Sequence, residues 1–275
     1  MTSLGYKLLA AALLGLGIVG LVSGDFASVW QQIPIANLPF RSFFAYAVAV
    51  SEIAVGIGLF FRRSRALASR ALLVFLLLWA VLLKLPPVIG MPQVEAMWLG
   101  LAEVTVMIAG AWVVLIAFTG DRRQPLPFGL FVNAQGLRNA RILLALSLWP
   151  IGLSHFFYPT ETAAFVPRWL PQPVVWGYLT GAADVLAGVA ILLGYWPRLA
   201  ASLVAAMLFI ITVLVWTPGL APAANGVQFQ ITGFLISATI AAGAWTVADS
   251  YRDRPIVRGT GVHPSRGDRD ADVLA

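Results

Sequence analysis

The chain has 275 residues, of which 60% are hydrophobic and only 11% charged, against about 25% charged in a soluble domain; this excludes a soluble globular protein and predicts an integral membrane one. The net charge of +6 would point to nucleic acid in a soluble protein, but here basic loops held in the cytoplasm account for it, so no nucleic-acid partner is expected. With no cysteine, disulfides, thiol relays and iron–sulfur ligation are excluded as well.

A membrane helix needs about 20 apolar residues, and eight runs qualify: roughly 6–23, 41–61, 68–88, 97–118, 140–157, 173–194, 199–217 and 229–249. The first could pass for a cleavable signal peptide, but it has an uncleaved counterpart later in the chain and is expected to stay. The breaks, among them "FFRRSR", "KLPPVIGMPQ", "YPTETAAFVPRWLPQP" and "GYWPR", are rich in Pro, Gly or charge. Lys7, Arg62, Arg63, Arg65, Arg70, Arg122, Arg123, Arg138, Arg141, Arg198 and the tail arginines fall on one side, with only Arg41, Lys84 and Arg168 towards the other. The positive-inside rule then makes both termini cytoplasmic. Tryptophans such as Trp30, Trp98, Trp169, Trp196 and Trp216 sit near span ends, as interfacial belts require.

The two halves echo each other at an offset of 132–133 residues. Gly20 matches Gly152, Pro34 matches Pro167, and Glu52 matches Asp184, each acid followed four residues later by glycine (Gly56, Gly188). Arg65 matches Arg198, Pro86 matches Pro218, and Gly110-Ala111-Trp112 matches Gly243-Ala244-Trp245. This ordered series predicts a duplicated four-helix unit. An even number of helices brings both copies into the membrane the same way round, related by an axis along the membrane normal. The expected fold is all-α, eight transmembrane helices as two parallel-related four-helix bundles. Residues 1–118 form the first unit, 119–139 a cytoplasmic linker, 140–249 the second unit and 250–275 a disordered tail.

Charges inside the spans are the candidates for function. An ionised carboxylate at mid-helix costs about 2.5–3.5 kcal/mol on insertion scales, so Glu52 and Asp184 are candidate proton-handling acids. The face carrying Asp184 is otherwise small, with Gly177, Gly181, Ala187 and Gly188, and small faces let helices approach closely. The competing reading is an acid hydrogen-bonded to a neighbouring helix to fix packing. Lys84 and Glu103 lie in the third and fourth spans, towards the other side, where they either pair with each other or help to form a polar site. His155, at the outer end of the fifth span in "GLSHFFYPTE", is either structural or a proton-exchange group, since imidazole titrates near neutrality. Together His155, Lys84 and Glu103 form a candidate ligand-binding site on the outer side. A single intramembrane histidine makes no bis-histidine haem site, and no His/Asp/Glu spacing predicts a metal site. Phosphate-loop and dinucleotide fingerprints are missing too.

The stretch from Gly152 to Phe209 resembles the DoxX family and its redox-associated DoxX/MauE-like relatives. The residues that carry the likeness are Gly152, His155 and Phe156, then the "P-x-W-L-P" loop (Pro167, Trp169, Leu170, Pro171), then Gly181, Asp184, Gly188 and Arg198. The acid is usually glutamate in such proteins, so Asp184 departs from the pattern while Glu52 keeps it. The first half retains Gly20, Pro34, Glu52, Gly56 and Arg65 but lacks the histidine and the loop. The resemblance implies a multi-pass protein of a bacterial or archaeal cytoplasmic membrane. Some relatives are subunits of thiosulfate:quinone oxidoreductase; others associate with redox-stress or cofactor-maturation systems. The expected function is accordingly a membrane subunit or accessory protein of a quinone-linked oxidoreductase. Quinone is the candidate cofactor, the lipid bilayer the solvent, and a soluble or membrane redox subunit the candidate partner. A non-enzymatic scaffold or assembly factor, and a small-solute or proton-coupled transporter, are the alternatives.

Overall fold

The computed structural model describes residues 4–27, 39–119, 131–220, 227–253 and 256. Ten α-helices follow one another among them: α1 (Leu4–Ser23), α2 (Arg41–Phe60), α3 (Arg65–Trp79), α4 (Leu85–Gly90), α5 (Glu95–Thr119), α6 (Ala134–Phe157), α7 (Pro159–Phe165), α8 (Pro173–Leu193), α9 (Pro197–Trp216) and α10 (Val227–Asp249). A π-helical turn, Ala80–Lys84, joins α3 to α4, and a 3-10 turn, Thr217–Leu220, follows α9. Eight helical stretches are long and apolar enough to cross a membrane, α3 to α4 counting as one from Arg65 to Gly90. The protein is therefore all-α and multi-span, because a backbone in lipid must satisfy its own hydrogen bonds. Pro34, Trp30, Arg122, Arg123, the linker residues 120–130 and nearly all of the predicted tail lie outside the described residues.

Local chemistry sets the boundaries. Pro173 and Pro197 open α8 and α9, where a missing N–H costs nothing. Gly194 closes α8 in the left-handed region (φ 72); its N–H bonds to Ile191 O, and that of Tyr195 to Ala190 O, the paired bonds of a Schellman cap. Three stretches differ from the hydropathy reading. The fifth span starts at Ala134 rather than 140, because the Asn133 side chain accepts the Gly136 N–H at 2.6 Å and caps a polar first turn. The third span runs through Pro86 and Pro87 to Gly90. There the π turn, with Leu85 N–H bonded to Ala80 O five residues back, widens the helix just where a proline ring would clash with the carbonyl four residues earlier. Within the predicted loop after the fifth span, Pro159–Phe165 also forms a short helix.

In each half the first two spans pack closely: α1 on α2, and α6 on α8. From there the chain makes a ring, α2 to α3 to α5 and α8 to α9 to α10, whose ends are exchanged. The extensive neighbours of α10 include α1 and α5, and those of α5 include α6 and α10, whereas α6 meets α10 only slightly. At the α5–α10 crossing a Cβ on Gly110 would lie 2.5 Å from the Cα of Gly243. The core follows these contacts, with Leu9, Leu13, Leu72, Leu76, Met107, Leu144 and Leu148 fully enclosed, while one face of most other spans is exposed and apolar.

Candidate functional site

Glu52 and Asp184 occupy matching places, each on the second span of its half at the crossing with the first. On α2, a Cβ on Gly56 would sit 2.8 Å from Ala10 O, and Ala49 lies against Gly17 and Gly20 of α1. Glu52 lies between these contacts on the same helix face and is 2% exposed. On α8, a Cβ on Gly181 would meet Gly152 O at 2.6 Å, and one on Gly188 would meet Ala145 O at 2.7 Å. Asp184 is 1% exposed between them. The glycines explain the burial: only without side chains can the backbones approach closely enough to enclose a carboxyl between them. The Oδ1 of Asp184 is buried and has no hydrogen-bond partner among the described residues. An unpaired buried acceptor is costly, so this atom is the least satisfied point of the crossing.

His155 flanks the same crossing on the other side of Gly181, whose Cβ would lie 2.7 Å from that of His155. Its Nδ1 is 3.0 Å from Gly177 O and 3.1 Å from Thr180 Oγ1. A carbonyl can only accept, so Nδ1 carries the proton in that bond, and Nε2 is the acceptor of the neutral ring. The histidine is thus fixed by α8 and shares a helix pair with Asp184.

Lys84 and Glu103 come together elsewhere, between the π turn and α5. The Nζ of Lys84 would lie 3.9 Å from a Cβ on Gly100, one turn before Glu103. Glu103 is within electrostatic range of both Lys84 and Glu95, without a direct ion pair to Lys84 among the described residues. Glu95, which the sequence reading passed over, has both carboxylate oxygens buried and without a hydrogen-bond partner among the described residues. Its signal was present: it stands eight residues before Glu103 on one helix, hence on nearly the same face. Tyr158, also unnoticed, links the groups in space, its hydroxyl accepting the Ala96 N–H at 3.2 Å. The structure therefore places His155 with Asp184 and Lys84 with Glu103 and Glu95.

The family model described as DoxX matches residues 136–217, from the first turn of α6 to the end of α9. That stretch contains both sides of the Asp184 crossing. No curated protein and no solved structure matches the chain. With eight membrane-length apolar helices among the described residues and this match, the protein is a multi-span membrane protein whose residues 136–217 are similar to the DoxX family.

Proposed function

We propose that the protein is a membrane subunit or accessory protein of a quinone-linked oxidoreductase, with Asp184 as its proton-exchanging acid. The observation that carries this reading is the buried, unpartnered Oδ1 of Asp184; an acid kept for packing would be hydrogen-bonded across the crossing. The residues fit a quinone in kind, since apolar helices suit its ring and tail and the open carboxyl oxygen suits a hydroxyl or carbonyl on the ring. When bound, the quinone would supply the two-electron chemistry that no residue of this chain provides. Asp184 would hold or release a proton at Oδ1. His155, oriented through Nδ1 by Gly177 and Thr180, would offer Nε2 for proton exchange nearer the helix end. The close backbone contacts at Gly152 and Gly181 would keep water from the acid. Glu52 is the corresponding acid of the first half, and Lys84 and Glu103 line a separate polar site.

The duplication of a four-helix unit belongs to the same proposal. It is supported by Gly110 and Gly243, partners in the sequence repeat, lying against each other at the α5–α10 crossing.

Two measurements test the function. Lipophilic molecules extracted from the purified protein should contain quinone at close to one per chain. Asp184→Asn should leave helicity and yield intact while lowering quinone-linked turnover by about 10²-fold or more, the usual weight of a general acid–base group. Unchanged turnover would remove Asp184 from the mechanism. A scaffold is the second reading, favoured by the glycine contacts that surround both acids; it expects the amide to lower thermal stability instead, with no quinone bound.

A further inference from the structure

α8 meets α9 less extensively than it meets α6, and α9 meets α8 less extensively than it meets α10, and a groove of ≈ 400 Å³ runs between α8 and α9. That volume is within the usual range of about 300–1,000 Å³ for small-molecule sites. Ala183, Ala187 and Ala190 on one wall and Ala200, Leu203 and Met207 on the other make it apolar. The alanines leave the space that larger side chains would fill. Ala183 and Leu203 are exposed along its rim, so it opens sideways, towards lipid. From Ala183 to Ala190 on one wall and from Ala200 to Met207 on the other is seven residue steps, a length of about 10 Å at 1.5 Å per residue.

At one end the groove is bounded by Tyr195 and Trp196, 70% and 51% exposed, amphipathic rings of the kind that settle at the headgroup level. Arg198 follows within two residues. This is the basic end of the molecule. Lys7, Arg62, Arg63, Arg65, Arg138 and Arg141 stand at helix ends on the same side, opposed among the described residues only by Asp249 and Asp253. An apolar trough that leads to aromatic rings and a positively charged rim is complementary to a lipid with an anionic head.

We propose that the α8–α9 groove binds one anionic phospholipid, with an acyl chain along the alanine walls and the phosphate at Arg198. The site is independent of the quinone reading. It lies on the outer surface of the bundle, beside the crossing that encloses Asp184.

Native mass spectrometry of the full-length protein in mild detergent, titrated with phosphatidylglycerol and phosphatidylcholine of identical chains, tests the assignment. The first phosphatidylglycerol should bind about fivefold or more tightly than phosphatidylcholine, the effect of one arginine near an anionic group. Arg198→Gln should bring the two lipids to equal affinity. Ala183→Phe, entering the groove from its exposed rim, should weaken both, while Val74→Phe on the exposed face of α3 should weaken neither. Equal binding of the two lipids by the unaltered protein would overturn the proposal. So would an Ala183→Phe protein that binds as before, or a prenyl lipid that Ala183→Phe displaces in place of the phospholipid.

Discussion

At the scale of single residues, the charged groups divide by whether they are satisfied. Asp25, between α1 and α2, accepts the Phe26 N–H at 2.8 Å and bonds Arg41 Nε at 2.8 Å and Nη2 at 3.2 Å, while the Arg41 guanidinium lies over the Phe26 ring. Burial pushes the Asp25 carboxyl up, but the Arg41 hydrogen bond, the Phe26 N–H and the charge of Arg41 together outweigh it and hold it below the ordinary value. A carboxyl lowered in the folded state stabilises that state above its unfolded pKa, and the contribution is lost as pH falls through the folded one. The carboxylate is half exposed, so the effect is small. Melting temperatures measured in detergent should therefore fall slightly less steeply towards acid pH in Asp25→Asn than in the unaltered protein; parallel curves would show that the bridge is idle. Asp184 stands at the opposite extreme, buried with an oxygen that has no hydrogen-bond partner among the described residues, and this contrast directs the functional proposal to Asp184.

At the scale of elements, glycine and proline decide how the spans run and meet. The π turn before Pro86 and Pro87 lets one span continue through two residues that ordinarily end a helix, and it delivers Lys84 to α5. At the α5–α10 crossing the backbones are too close for any side chain at Gly110. Gly110→Leu should destabilise the protein by about 1–3 kcal/mol, the usual cost of overpacking, read as a lowered melting temperature. Gly90→Ala, where a Cβ would meet nothing within 4 Å, should leave it unchanged. Equal melting of the two variants would mean that the crossing yields without cost.

At the scale of the whole molecule, the halves are interlocked through their last helices. α10 sits against α1 and α5, and α5 against α6 and α10, so each half would expose the faces of α5 and α10, and of α1 and α6, that pack across the molecule if the other left. A protease site inserted between residues 120 and 130 of the full chain should, after cleavage, give two fragments that still migrate as one complex in mild detergent. Fragments that separate without added denaturant would contradict this interlocking. The contacts that would have to break are apolar and extensive, and cutting a connection gives up no more than loop-closure entropy on their account.

The sequence by itself determined the solvent and the elements. A backbone in lipid has few options, so apolar length alone located eight spans, and Glu52, Lys84, Glu103, His155 and Asp184 were legible because a charge in hydrocarbon is conspicuous. Polar helix starts, such as the turn capped by Asn133, were not legible, because hydropathy responds to lipid and not to capping. Only the tertiary structure decided which of these groups share a site. The grouping of His155 with Asp184, and of Glu95 with Glu103 and Lys84, depends on which helices cross and at which glycine. That choice rests on packing between distant segments, and no local pattern encodes it. The exchange of α5 and α10 between the halves is of the same kind: the side-chain volumes at Gly110 and Gly243 determine how closely these two helices can cross.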